Sequence, residues 1–245
     1  MEEQTIRLQK FLSERGFGSR RGVVTSIEAG RVRVNGETVS ERGARIVPGA
    51  DAVEVDGVVV ATEKPRSRTI IMYKPRGYIC SRSSAQGKTI YDLLPPELFQ
   101  LRPVGRLDKD SEGLLLLSND GELIECLTHP RFQQSKIYRV TVSGKVSPQV
   151  LARLRSRMVI DGYRIHPVGI VDVTAQADAD RRVLEFTLKE GRNRQIRKMC
   201  AVVKLRVHRL VRVGIRGIPS TGQTTGKWRE LTAAEESQLK GRADA

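Results

Sequence analysis

Two segments of the chain hold residues whose types and spacing could do chemistry. The first is Gly105-Arg106-Leu107-Asp108-Lys109-Asp110-Ser111-Glu112-Gly113, a polar loop between glycines that runs straight into the apolar stretch Leu114-Leu115-Leu116-Leu117. A carboxylate in a loop anchored on a buried strand can serve as nucleophile or general base. It can equally be a turn aspartate that bonds its own backbone. The second segment is Leu188-Lys189-Glu190-Gly191-Arg192-Asn193-Arg194-Gln195-Ile196-Arg197-Lys198-Met199-Cys200. It reads as a strand passing through Gly191 into a helix. Residues 192–216 contain nine Lys or Arg and no acid. A helix N-terminus already favours anions, and Arg192, Asn193 and Arg194 beside it make a candidate phosphate site. Ile196, Met199 and Cys200 have the spacing of an inward helix face, which places Arg197 at its edge. A partly buried Arg197 needs a carboxylate, and Asp108 is the candidate. The alternative is an exposed basic helix.

Other chemistries find no support. Cys80, Cys126 and Cys200 are far apart and odd in number, and His129, His166 and His208 lack ligand spacing, so no metal is expected. There is no phosphate-cradling Gly-rich motif of the P-loop or dinucleotide type. A reaction without metal or cofactor is favoured.

The elements that must position these residues follow from periodicity. Strands are expected at Ile70–Lys74, Ile79–Ser81, Leu114–Ser118, Ile137–Val142, Gly169–Val173, Val183–Leu188 and Val207–Val213. Helices are expected at Glu122–Leu127, Pro148–Arg157 and Arg194–Val202, with a surface helix at Ala233–Lys240. Trp228 and Leu231 are expected to pack on the sheet. Strands outnumber helices without regular alternation, which predicts an α+β fold with a mixed, mainly antiparallel sheet and peripheral helices.

Ahead of that unit, residues 1–60 read as a separate small α+β module. Leu8, Phe11 and Leu12 have helical spacing, Ser19 caps a second helix, and Gly30 ends it. Alternating residues flank Asn35-Gly36 and again Asp56-Gly57, two hairpin signals. Residues 61–68 are polar, charged and contain Pro65, as a linker does. Residues 69–245 then form the larger unit. Arg20, Arg21, Arg31 and Arg33 cluster around the second helix and the following strand, a candidate phosphate-gripping face. A formal net charge of +15 and a pI near 10.2 point to a polyanionic partner. Aromatic content is only 4%, which suits shape and backbone readout of folded RNA better than single-strand stacking. No apolar run approaches the ~20 residues of a membrane span, and Met1-Glu2-Glu3-Gln4 is unlike a secretory signal. No membrane partner, a cytoplasmic location and a monomer are the resulting expectations.

Motif order adds a family. Arg7-Leu8-Gln9-Lys10-Phe11-Leu12, Gly18-Ser19-Arg20-Arg21 and Gly30-Arg31-Val32-Arg33-Val34-Asn35-Gly36 resemble the RNA-binding domain shared with ribosomal protein S-four. Gly22-Val23-Val24 departs from it, since members carry polar helix formers there. Gly105-Arg106-Leu107-Asp108, Gly113 to Leu117, Asn119-Asp120-Gly121, Lys136-Ile137-Tyr138 and Glu190 to Arg197 resemble the RsuA/RluB-type pseudouridine synthases. Lys74-Pro75-x-Gly77 and His129-Pro130-Arg131 fit as well. The resemblance implies the roles. Asp108 matches the essential aspartate, Tyr138 the aromatic that stacks on the flipped uracil, Arg197 the basic residue paired with the aspartate, and Ile196 the pocket wall. Arg106 matches a residue that holds the RNA or extrudes the base. The Asn-Arg-Gln form and His129-Pro130 look closer to the RluB-type branch, which implies large-subunit (23S) rRNA as substrate, with small-subunit (16S) rRNA as runner-up.

The implied reaction breaks the uridine N1–C1′ bond, turns the base and rejoins it through C5. Composition does not change, so neither redox cofactor nor energy source is needed. The base must leave its stack to be reached. A non-catalytic RNA-binding or ribosome-assembly protein on the same scaffold is the competing expectation. It would not need Asp108, Tyr138 and Arg197 together.

Overall fold

The computed structural model describes residues 5–175, 180–220, 222 and 224–241. The reading of Met1 to Gln4, and Thr221 and Gln223 of the Gly/Thr-rich stretch 214–227, lie outside the described residues. The chain divides into two compact units, residues 1–67 and 68–245.

The first unit opens with helices α1 (Leu8–Glu14) and α2 (Arg20–Glu28). Ser19 Oγ accepts from Gly22 N at 3.1 Å, so α2 forms despite the weak helix formers Gly22-Val23-Val24. Strands β1 (Val32–Val34), β2 (Glu37–Thr38), β3 (Val53–Val55) and β4 (Val58–Val59) form an antiparallel sheet in the order β2-β1-β3-β4. Both turns expected at Asn35-Gly36 and Asp56-Gly57 have positive φ at the two central residues, as tight hairpins require. Leu8, Phe11, Leu12, Val23, Ile27 and Val32 fill the core. The polar stretch after this sheet is tied to α1. Arg15 donates to the carbonyls of Ala61 and Thr62, and Lys64 Nζ lies 3.2 Å from Glu14.

In the second unit β5 (Thr69–Lys74) pairs with β6 (Glu112–Ser118), and α3 (Gly121–Thr128) follows, capped by Asp120. Next come β7 (Lys136–Ser143), α4 (Pro148–Arg155), the short hairpin β8 (Val159–Ile160) and β9 (Tyr163–Arg164), and then β10 (Gly169–Asp172) and β11 (Arg182–Leu188). The remainder is α5 (Gln195–Val202), β12 (Arg206–Ile215), β13 (Trp228–Glu230) and α6 (Ala233–Lys240). The main path of the sheet is β10-β11-β7-β12-β6-β5-β13. Only β12–β6 is parallel among these neighbours. This is the α+β arrangement expected of the sequence.

The run Leu114 to Leu117 does not alternate with polar residues because both sheet faces are covered. Leu114 and Leu116 pack with Ile71, Leu123, Leu127 and Leu231. Leu115 and Leu117 pack with Ile70, Met72, Ile90 and Tyr91, and Trp228 rests against them. A third cluster holds Tyr138, Val140, Leu184, Phe186, Met199 and Cys200. It joins the sheet to α5. At the β6–β12 crossing a Cβ on Gly113 would lie 2.3 Å from the Arg212 carbonyl oxygen, and Gly113 has φ +107°. Only glycine fits there. One expected strand is absent: Ile79–Ser81 is reduced to a single bridge between Ile79 and Thr89. The segment instead packs against the polar loop, where Cys80 Sγ meets both Leu107 N and Leu107 O at 3.5 Å.

Candidate active site

The polar loop 105–113 is fixed from below by the end of β5 and the residues after it. Lys74, fully buried, donates from Nζ to the carbonyls of Pro75 (3.0 Å), Asp108 (3.1 Å) and Ser111 (2.8 Å). Burial pushes its ammonium down to about 8, against the Cys80 sulfur and the carboxylates of Asp108, Asp110 and Glu112, which favour the charge. Gly77 N donates to Lys109 O at 2.7 Å, and Ser111 N to Asp108 O at 3.1 Å. The backbone of Asp108 is therefore held from both sides while its carboxylate stays one-third exposed. In the sequence, Lys74-Pro75-x-Gly77 stands out only as part of a resemblance. A lysine closing an apolar strand is the signal that it is buried and engaged.

Above the loop lies a cavity of about 500 Å³. Asp108, Tyr138, Arg197, Arg106, Ile196, Arg192, Asn193 and Arg194 all line it. These residues come from three places far apart in sequence: the 105–113 loop, β7, and the turn leading into α5 together with the first turn of that helix. Tyr138 is 9% exposed and belongs to the β7–β11–α5 core, so its ring is set by packing. Ile196 is buried beside it, and Arg106 is exposed at the rim. The N-cap of α5 is Arg194 itself, in the left-handed region at φ +52° with no side-chain cap.

The ion pairs differ from expectation at one point. Arg197 does not pair with Asp108. Its Nη2 lies 3.3 Å from Asp110 Oδ2 and donates to the Asp110 carbonyl at 3.0 Å. Arg194 takes the same carboxylate on its other side, at 3.1 and 3.4 Å, and reaches Asp108 Oδ2 only at 3.9 Å. The two acids are two positions apart in one loop, and the sequence offers no way to tell which of them faces α5. Burial raises the Asp110 carboxyl, but the hydrogen bonds from Arg194 and the charge of Arg197 outweigh it and hold it below the usual carboxylate range. Asp110 is thus a structural counter-ion that orients two guanidiniums. Asp108 is the carboxylate left facing the cavity, near one guanidinium and without a close partner in the described residues.

A second network shapes the turn before α5. Glu190, 8% exposed, accepts from His166 N (3.0 Å) and Gln195 Nε2 (2.9 Å). Gln195 Oε1 accepts from Arg192 N at 3.1 Å. Neither Glu190 nor Gln195 stands out in the sequence as a site residue, because a polar residue five positions from another gives no hint that both are buried. In the first unit Arg31 is engaged by Asp56, whereas Arg20, Arg21 and Arg33 are exposed and have no ion-pair partner among the described residues.

Comparison with known proteins supplies the family. The family described as RNA pseudouridylate synthase matches residues 68–202, and the S4 domain matches residues 6–51. A protein of Aquifex aeolicus described as an uncharacterized RNA pseudouridine synthase is 39% identical over 96% of this chain and 93% of its own length. Ribosomal large subunit pseudouridine synthase B of Bacillus subtilis is 34% identical over 97% of both chains. Its namesake in Salmonella typhimurium is 36% identical over 96% of this chain and 82% of its own. A solved structure described as a pseudouridylate synthase superposes with a TM-score of 0.67 at 26% identity, covering 96% of this chain and 99% of the other. With the family model matched over more than half of its length and relatives similar over nearly all of it, this chain belongs to the RNA pseudouridine synthase family.

Proposed function

We propose that this enzyme converts uridine to pseudouridine in large-subunit (23S) rRNA, with Asp108 as its catalytic carboxylate. The observation that carries the reading is the shared cavity: Asp108 faces the same space as Tyr138 and the arginines of the α5 turn. A uridine flipped out of its RNA can lay its uracil on the Tyr138 ring, with Ile196 as wall. Arg192, Asn193 and Arg194 then hold the RNA around it, and Arg106 fills the space left in the RNA. As N1–C1′ breaks, anionic charge develops on uracil and electron deficiency on the ribose. The guanidiniums stabilise the first, and the Asp108 carboxylate serves the second as nucleophile or as base toward a sugar proton. Arg197 acts through Asp110, holding the loop so that Asp108 points at the ribose. Base flipping needs a firm grip on the surrounding RNA, and Arg20, Arg21, Arg31 and Arg33 of the N-terminal unit supply contacts to its phosphates.

Large-subunit rRNA is the preferred substrate because two relatives similar over nearly the whole chain carry that substrate in their names. Action on rRNA as a monomer in the cytoplasm is part of the proposal, as is the division into an RNA-binding domain (1–60), a linker (61–68) and a catalytic domain (69–245). No described helix is long and apolar enough to cross a membrane. Tritium release from 5-tritiated uridine tests the reading, using separate large- and small-subunit rRNA transcripts and ribosomal subunits. Release from the large-subunit RNA is expected. Release from small-subunit RNA alone would move the target, and none from either would leave a non-catalytic RNA-binding protein.

A further inference from the structure

Tyr163 lies on the β8–β9 hairpin, exposed, and no part of the reaction described above uses it. Its ring is covered by the guanidinium of Arg192, whose Cζ stands 3.0 Å from the ring centroid. The hairpin is tied to α5 by the ion pair of Asp161 with Lys198. Arg192 is also held from behind. Its Nε is 3.6 Å from Glu190 Oε2, and its backbone N–H is bound by Gln195. Glu190 is itself fixed by His166 N and Gln195 Nε2. A guanidinium is planar and stacks on aromatic faces, and this one stands over the Tyr163 ring while its Nε lies beside the buried Glu190 carboxylate. Arg192 lines the cavity that holds Asp108, and its side chain remains 43% exposed.

From this geometry we infer that Tyr163, Arg192 and Glu190 form a stacking subsite at the cavity rim for the base of a nucleotide adjacent to the flipped uridine. The inference rests on the pseudouridine synthase reading and deepens it. Flipping the target removes a stacking partner from its neighbour in the RNA, and an outward-facing guanidinium plane replaces that partner. Stacking fits better than a phosphate contact. A phosphate taking two N–H groups of Arg192 through its Nε side would meet the Glu190 carboxylate, 3.6 Å from Nε, which repels an anion. The face of the guanidinium remains for the base. Glu190 and Tyr163 are positioning residues that act through Arg192.

The test is the Kd for a large-subunit rRNA transcript, measured across a salt series, alongside KM and kcat for tritium release. Tyr163→Ala and Arg192→Lys are each expected to weaken Kd and raise KM about tenfold, the size of one lost base stack. The slope of log Kd against log salt stays unchanged, since no charge is removed. Tyr163→Phe, which keeps the ring, restores most of the affinity lost in Tyr163→Ala. Wild-type affinity in Arg192→Lys would mean that charge alone matters, and would overturn the inference. So would an unchanged Kd in Tyr163→Ala. Failure of the wild-type protein to release tritium would count against the proposed activity, while the Kd comparison would still decide the stacking subsite.

Discussion

The arginines of the N-terminal unit and those around the cavity carry the same charge in opposite mechanical settings. Arg20, Arg21 and Arg33 stand exposed on a small module, without ion-pair partners among the described residues. Arg192, Arg194 and Arg197 are each clamped: on Tyr163 and Glu190, on Asp110, and on the Asp110 carboxylate and carbonyl together. An exposed arginine meets a phosphate wherever the RNA brings it, at the cost of its own side-chain entropy. A clamped one has already lost that freedom and stabilises charge at a fixed place. The first group should govern how tightly RNA is held, and Arg194 and Arg197 how fast the bound uridine reacts, while Arg192 serves binding through its stack on Tyr163.

The largest expected effect lies in the loop that serves the clamped group. Asp108→Asn should lower turnover by at least about 10⁴-fold, the scale of losing a nucleophile or base, with Kd for rRNA within about twofold of wild type. Asp110→Asn should cost about 100-fold or less in kcat, because it loosens Arg194 and Arg197 without removing the reacting group. Equal losses in the two variants, measured by single-turnover tritium release, would erase the distinction between the two acids. Lys74→Met comes next. It withdraws hydrogen bonds from two loop carbonyls, Asp108 and Ser111, and from that of Pro75, so kcat should fall about tenfold while stability falls by about 1–3 kcal/mol. Denaturant unfolding measured beside kinetics separates the two effects.

The N-terminal unit should respond in the opposite way. Replacing Arg20, Arg21 and Arg33 together by Ala should raise KM about tenfold with kcat nearly unchanged. The slope of log Kd against log salt should flatten by about 1 for each phosphate that is no longer neutralised. A fall in kcat at saturating RNA would break the comparison. The smallest effect concerns stability alone. The hydrogen bonds from Arg229 hold the Glu235 carboxyl down at about 2, below its usual 4.5, against the opposing effect of burial. A depressed acid stabilises the fold above pH ~4.5 and loses that contribution as pH falls through about 2. The pair is near the surface, so about 1 kcal/mol is at stake. Glu235→Gln should flatten the decline in thermal stability over that window.

The sequence revealed the elements of this molecule better than it revealed which side chains meet. Asn35-Gly36 and Asp56-Gly57 announce their hairpins because so few residues accept positive φ. Leu114 to Leu117 announces a buried strand, and Ser19 marks the start of its helix. Those signals are local. The cavity depends on the parallel crossing of β6 and β12, which brings together residues about a hundred positions apart. Proximity could be expected from the motifs as a set, yet not the choice of partner. Arg197 meets Asp110 rather than Asp108 because of where the loop is pinned, and it is pinned by Lys74 and Gly77, more than thirty residues upstream. The failure of Ile79–Ser81 to form a strand has the same origin, since that segment packs against the loop instead of extending the sheet.

The central claim is that this protein makes pseudouridine in large-subunit rRNA by means of Asp108. It is tested most directly by mapping pseudouridines in rRNA from cells that lack the protein, complemented with wild type or with Asp108→Asn. The account predicts that at least one large-subunit position loses its pseudouridine without the protein, regains it with wild type, and stays uridine with Asp108→Asn. Restoration by Asp108→Asn, or an unchanged map in cells lacking the protein, would contradict it.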